Sequence, residues 1–302
     1  MLLDFVTIAF AADLPLLRLQ ARSLLRYLDP AALGQIILIG NEPRDPAFTA
    51  RLAAEITPEY GPLAPRLRIL PGEQLNAFPG APRAGNGWRR QQALKLEAHR
   101  LVQTPAYVTL DCKNHLIRPT DATAFADESG RLRLLPRTAQ PGHLEAFDLF
   151  GTPPEDRPAT MFHIITPFAL HTAEVAAMDA ALRARHGFGS SDAILADTGP
   201  NVAEYRLYCA HLVATHGGWD ALHSFAHLPF TTFFAREDRI EPFLRRVDSE
   251  ITRGMGVHRR TAWSPPEVKA EIIQRWLAFG LIADTAEGEA ILTPPPGATR
   301  PA

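Results

Sequence analysis

The chain reads as an α/β protein: a mainly parallel, mixed sheet flanked by helices, with a helical C-terminal extension. Three observations predict this. Short β-rich apolar runs alternate with helically spaced ones through the first half, the pattern of successive βαβ units. Proline and glycine turn signals, Asp29-Pro30 and Pro71-Gly72 among them, separate those runs. The 302 residues, 46% hydrophobic, suffice for one large core with appendages.

Taken in order, Phe5 to Phe10 is a first buried strand, and Leu14 to Leu28 carries helical apolar spacing up to Asp29-Pro30. Gln35 to Gly40 is a second strand, Ala47 to Ile56 a short helix and Leu67 to Leu70 a third strand. The segment from Asn76 to Gly87 is rich in glycine and proline and reads as an irregular loop, a candidate lid. Trp88 to Val102 reads as a helix and Tyr107 to Leu110 as the fourth strand. Beyond residue 120 the pattern loosens: strands are expected at Leu132 to Pro136 and Phe162 to Pro167, and helices at 173–185, 191–197, 202–215 and 267–279. This divides the chain into a first half (1–120), a second half of the same domain (121–250), a helical extension (251–292) and a disordered, proline-rich tail (293–302).

Composition narrows the function classes. The 31 basic and 33 acidic residues nearly cancel, and no basic stripe marks a nucleic-acid binder. No apolar run approaches the roughly 18 to 20 residues that span a bilayer, and the first segment, with Asp4 and no basic flank, reads as a strand and not a signal peptide. Two cysteines, Cys112 and Cys209, fit a reducing compartment, so a cytoplasmic protein is expected. Lysine occurs only at 95, 113 and 269, and two of these fall in the motifs below.

In open α/β sheets ligands bind beyond the carboxyl ends of the strands, which points to Ala9 to Asp13, Gly40 to Glu42 and Asp111 to His115. The last of these, Asp111-Cys112-Lys113-Asn114-His115, puts polar side chains directly after a buried strand. Asp111 is either a ligand-site carboxylate or the cap of a turn. In the preceding helix Leu94, Ala98 and Leu101 share one face, and Trp88, Gln91, Gln92, Lys95 and His99 line the next. Neutral amides beside a lysine and a tryptophan suggest a polar site at the border of the core, while Arg89, Glu97 and Arg100 suit a charged surface. Asp13 is placed to cap the helix starting near Leu14 or to face a ligand beyond the first strand. Asn201 and Glu204 have the spacing of a capping box, the competing reading to any catalytic role for Glu204. No P-loop, Gly-x-Gly-x-x-Gly after the first strand, or Gly-x-Ser-x-Gly elbow is found.

The combination Gly87-Trp88-x-x-Gln91-Gln92-x-x-Lys95, then Thr104, a strand and Asp111-x-Lys113-Asn114, resembles a poorly characterised group of bacterial GT-A-like glycosyltransferases. The resemblance is strongest from Gly87 to Pro119 and extends more weakly to Thr166-Pro167-Phe168 and Glu204-Tyr205-x-x-Tyr208. It implies a glycosyltransferase taking a nucleotide-diphosphate sugar, with Asp13, Gln91, Gln92, Lys95, Asp111, Lys113 and Asn114 around the donor, a carbohydrate or other hydroxyl acceptor, and Glu204 as catalytic base. In GT-A enzymes an Asp-x-Asp motif binds a divalent metal; here Lys113 stands at the second carboxylate. Manganese or magnesium on Asp111 is thereby weakened, since a hard cation loses an oxygen ligand and gains a cationic neighbour. Lysine can instead neutralise the diphosphate itself. A late histidine, His223 or His227, is a conceivable ligand by the same resemblance. The alternatives are a non-catalytic nucleotide-sugar or glycan-binding protein and a sugar-phosphate nucleotidyltransferase.

Overall fold

The computed structural model describes residues 1–75, 87–140, 144–196, 202–235 and 239–294. The loop expected at residues 76–86 and the tail from residue 295 lie outside the described residues.

The chain opens with β1 (Leu3–Ala9), α1 (Leu14–Tyr27), β2 (Leu33–Gly40), α2 (Phe48–Ile56), β3 (Leu67–Pro71), α3 (Gly87–Glu97) and β4 (Ala106–Leu110). The second half continues through β5 (Asn114–Leu116), β6 (Leu132–Leu134), β7 (Pro136–Thr138), α4 (Glu145–Asp148), β8 (Thr160–Phe162), β9 (Phe168–His171), α5 (Thr172–His186), α6 (Ser190–Ala196) and α7 (Glu204–His216). It ends with β10 (His223–Phe225), β11 (Phe230–Phe233), α8 (Glu241–Asp248), β12 (Gly254–Val257), α9 (Pro266–Ala278) and α10 (Thr285–Ile291). No helix among the described residues is long and apolar enough to cross a membrane.

The main sheet has the order β3-β2-β1-β4-β9. Its first four strands are parallel, and β9 runs antiparallel against β4. Strand side chains alternate between two faces, and here both faces are buried. Leu3 and Phe5 of β1 and Ile36 and Leu38 of β2 pack into one cluster with Leu17 and Leu24 of α1. Val6, Ile8, Ile37 and Ile39 pack into the other with Ala93 and Leu94 of α3 and Leu207 of α7. Continuous apolar strands are what a parallel sheet covered by helices requires.

Three differences from the sequence expectation have clear causes. The α3 helix stops at Glu97 and gives way to a 3-10 turn at Ala98–Arg100, short of Val102. The expected strand over Phe162 to Pro167 is in fact the connection between β8 and β9, because the apolar run spans the end of one strand and the start of the next. The C-terminal extension is not purely helical: it begins with β12, the middle strand of a sheet ordered β11-β12-β5. That strand escapes an apolar-run search because two of its four residues are glycines, and the close approach of neighbouring strands requires them. A Cβ on Gly254 would stand 2.5 Å from the Phe230 ring, and one on Gly256 2.6 Å from the Thr232 hydroxyl.

Candidate donor site

The strand ends singled out above converge. Asn41 N–H donates to the Ala9 carbonyl at 2.8 Å and its side-chain amide to the Gly87 carbonyl at 3.1 Å, tying β1, β2 and the start of α3 together. The Ala11 N–H donates to Glu42 at 3.0 Å. Beyond these ends lies an open cavity of about 320 Å³, lined among others by Phe10, Asp13, Trp88, Gln91, Asp111 and Lys113. His258 and Arg259 complete the lining; they follow β12, whose Val257 N–H donates to the Lys113 carbonyl at 3.0 Å.

The turn after β4 is held by main chain and by the Asn114 side chain, not by the Asp111 carboxylate. The Asn114 N–H donates to the Asp111 carbonyl at 2.9 Å, and the Asn114 side-chain oxygen accepts from the Asp111 N–H at 2.8 Å. Gln20 of α1 braces the same turn, donating to the Asp111 carbonyl at 2.7 Å. The turn-capping reading of Asp111 therefore fails, and its carboxylate is free for other partners. Oδ1 accepts from Gln91 at 3.1 Å and pairs with the Lys95 ammonium at 2.9 Å, and Oδ2 pairs with Lys113.

Lys95 is the pivot of a buried ionic network. Its Nζ also reaches Glu204 Oε1 at 3.3 Å and lies 5.5 Å from the Tyr205 ring centroid. Burial works to lower its pKa, but Asp111, Tyr205 and Glu204 more than offset this and hold it well above the usual range. For Asp111 burial acts upward, and Lys113 and Lys95 outweigh it, so the carboxyl titrates far below its ordinary value. Glu204 is shifted upward: burial dominates and Lys95 only partly compensates. With two ammoniums and two carboxylates the network balances, the condition under which buried charges are tolerable.

Several expected roles change. Lys95 and Gln92 are buried and do not line the cavity; Gln92 Oε1 has no hydrogen-bond partner among the described residues. Glu204 is likewise buried, one ammonium away from Asp111. It is not a capping-box residue: the N-cap of α7 is Ala203, with no side-chain cap, and Asn201 lies outside the described residues. Asp13 occupies the N-cap position of α1 but makes no capping bond, so the expected cap is overturned. It faces the cavity, 3.7 Å from Arg259, with burial raising its pKa. Arg89 and Glu97 are not a solvated surface. Arg89 donates to the Ile194 carbonyl at 2.8 Å, and Glu97 accepts from Ser191 at 2.5 Å, because α6 covers this side of α3. Arg100 pairs with Glu97 at 3.1 Å.

His258 and Arg259 were missed by the motif search. The signal for them is the same as for Asp111, a polar cluster directly after a buried strand, but Gly254-Met255-Gly256-Val257 is too glycine-rich to announce one. Burial, helped by Lys113, Arg260 and Arg259, pushes His258 down to about 4. The late histidines do not join the site: His223 is buried against the Tyr208 hydroxyl at 3.0 Å, and His227 lines a separate cavity. Among the described residues no group of three or more His, Cys, Asp or Glu side chains is arranged to hold a metal ion.

The weaker motifs also meet at this place. Asn114 donates to the Thr166 carbonyl at 3.3 Å, Phe168 stacks on Tyr205 with centroids 3.9 Å apart, and the Tyr205 and Thr109 hydroxyls are 2.7 Å apart. A family model covers residues 9–235, which include these motifs. The chain belongs to DUF6492, a family of unknown function. A search of the curated proteins finds no match.

Solved structures reveal what fold the DUF6492 chain shares. The bifunctional glycosyltransferase WbbM in its apo form matches 92% of this chain and 51% of its own, with a TM-score of 0.53 and 7% identity. The galactosyltransferase LgtC, in complex with donor and acceptor sugar analogues, matches 97% of this chain and 98% of its own, with a TM-score of 0.49 and 13% identity. At such identity the likeness is one of fold alone: this chain shares its α/β fold with about half of WbbM.

Buried imidazoles in this fold make stability acid-sensitive. Burial lowers His115 and His163 to about 4 and His223 to about 3, against an ordinary value near about 6.5. The unfolded chain takes up these protons first, so their contribution is intact above about pH 6.5 and is lost as pH falls toward the folded values, by up to about 1.4 kcal/mol per pH unit for each group. Glu204 and Asp13, both raised by burial, act in the opposite sense. The urea midpoint is expected to drop clearly from pH 7 to pH 5; equal midpoints would show that the imidazoles are not held neutral.

Proposed function

We propose that this protein is a glycosyltransferase that takes a nucleotide-diphosphate sugar and transfers the sugar to a hydroxyl acceptor without a divalent metal. One observation carries the reading: Asp111 and Lys113, just past the end of β4, line the cavity together with Arg259. A diphosphate bound in this cavity has Lys113 and Arg259 as cations in its walls, which stabilise the charge that builds on the leaving group. Phe10 and Trp88, the latter half exposed, offer aromatic surface to the nucleoside.

A divalent cation fits this donor set poorly. Both oxygens of Asp111 already bind ammonium groups, and a metal would have to displace Lys95 or Lys113 while sharing the space with the other. Glu204 is the candidate base: a carboxylate shifted upward by burial is closer to the pKa at which a base works near neutral pH. Its present place beneath the cavity requires the acceptor hydroxyl, or a bridging water, to reach it past Lys95.

The test is calorimetry of nucleoside diphosphates and their sugars against the purified protein, with EDTA and then with manganese. One diphosphate is expected to bind equally under both conditions. Binding that appears only with manganese overturns the metal-free reading, and no binding of any diphosphate overturns the donor site.

A further inference from the structure

A second cavity, about 340 Å³, lies at the end of the β5–β12 ladder away from Asp111 and Lys113. Its walls include Arg133, Arg253, His227, Asp121, Pro229 and Ile251. The frame is fixed by main-chain bonds. Ile117 N–H donates to the Arg253 carbonyl at 2.8 Å, Arg253 N–H to the Pro229 carbonyl at 2.7 Å, and Thr120 N–H to the Tyr27 carbonyl at 2.8 Å.

The charges on this frame are unbalanced. Arg133 spends one N–H on the Ala126 carbonyl at 3.2 Å, and Arg253 spends one on the Glu250 carbonyl at 3.0 Å. Neither guanidinium forms an ion pair among the described residues, whereas Arg22 pairs with Glu59 and Glu287, and Arg275 with Asp248 and Glu271. The one carboxylate in the wall, Asp121, is engaged by the Thr123 N–H at 2.9 Å and hydroxyl at 2.5 Å. Two fixed cations with unspent donors therefore face a preformed space, opposed by a single carboxylate. Guanidinium forks match phosphate and carboxylate geometry, and the cavity has the volume of a small-molecule site.

We propose that this groove binds a small polar ligand through one oxyanion group, a phosphate or a carboxylate, held by Arg133 and Arg253. Ile251, 60% exposed, and Pro229 offer the apolar wall on which the body of the ligand rests. The four residues of β12 separate Arg253 from His258, roughly 15 Å at strand rise. A ligand here is thus out of reach of Asp111, and the groove is a binding site separate from the donor cavity. The proposal does not rest on glycosyl transfer.

The experiment is calorimetric titration of the full chain with inorganic phosphate, glucose 6-phosphate and glucuronate, repeated in Arg133→Gln, Arg253→Gln and Lys113→Ala. At least one probe is expected to bind with a Kd in the millimolar range or below, to weaken tenfold or more in both arginine variants, and to be unaffected by Lys113→Ala. Glucose 6-phosphate without glucuronate assigns a phosphate ligand, and the reverse assigns a carboxylate. Loss of every binding event in Lys113→Ala, binding unchanged in the arginine variants, or no binding of any probe overturns the proposal. Thermal unfolding checks each variant; if Arg253→Gln does not fold, Arg133→Gln decides.

Discussion

Lys95→Met is expected to destabilise the protein by about 3–5 kcal/mol, because it leaves Asp111 and Glu204 without the ammonium that joins them in the interior. Methionine nearly matches the length of the lysine stem, so lost packing contributes little and the cost is electrostatic. Lys113 still neutralises Asp111, which makes Glu204 the stranded group. Adding Glu204→Gln should therefore recover part of the loss, and the cycle of single and double variants should show coupling of about 0.5–3 kcal/mol. Urea denaturation at pH 7 measures all four proteins. Additive single and double effects would mean that Lys95 and Glu204 do not interact energetically.

Lys113→Ala is expected to weaken diphosphate binding by roughly 10- to 100-fold. A hydrogen bond to a charged group is worth about 1.5–3 kcal/mol, and each 1.4 kcal/mol is about tenfold in Kd. Removing the ammonium also leaves Asp111 more negative beside the incoming phosphates, which acts in the same direction. Stability should change little, since Lys95 remains on Asp111. Calorimetry at fixed ionic strength reads the affinity, and an unchanged Kd in a folded variant would remove Lys113 from the donor site.

The parallel half of the molecule was legible residue by residue. Strands β1 to β4 and helices α1 and α2 coincide with the expected runs to within a few residues, because each is a local apolar pattern bounded by a turn. A cavity beyond the strand ends was also to be expected of an open sheet, and Asp111 and Lys113 line one. The α3 helix was harder. Its periodicity separated Leu94 and Ala98 from the polar positions, but it is enclosed on nearly every side by β1, α6 and α7, so Arg89, Gln92, Lys95 and Glu97 are buried as well. An amphipathic reading assumes one wet face, and α3 has almost none. Asp13 misled for a related reason: an aspartate before a helix is usually its cap, but here the chain reaches α1 through a 3-10 turn that leaves the carboxylate facing the cavity.

The sequence by itself determined the alternation of strands and helices, and the cluster of polar residues, Asp111, Lys113 and Asn114, directly after β4. All of these are encoded within a few consecutive residues. The tertiary structure alone decided which charges meet. Lys95 and Glu204 are 109 residues apart in the chain, yet share one hydrogen bond, and Arg259, from the turn after β12, joins Lys113 in the lining of one cavity. Side-chain pairing at such separations depends on how α3, α7 and β12 pack, and packing is a property of the assembled core, not of any local segment.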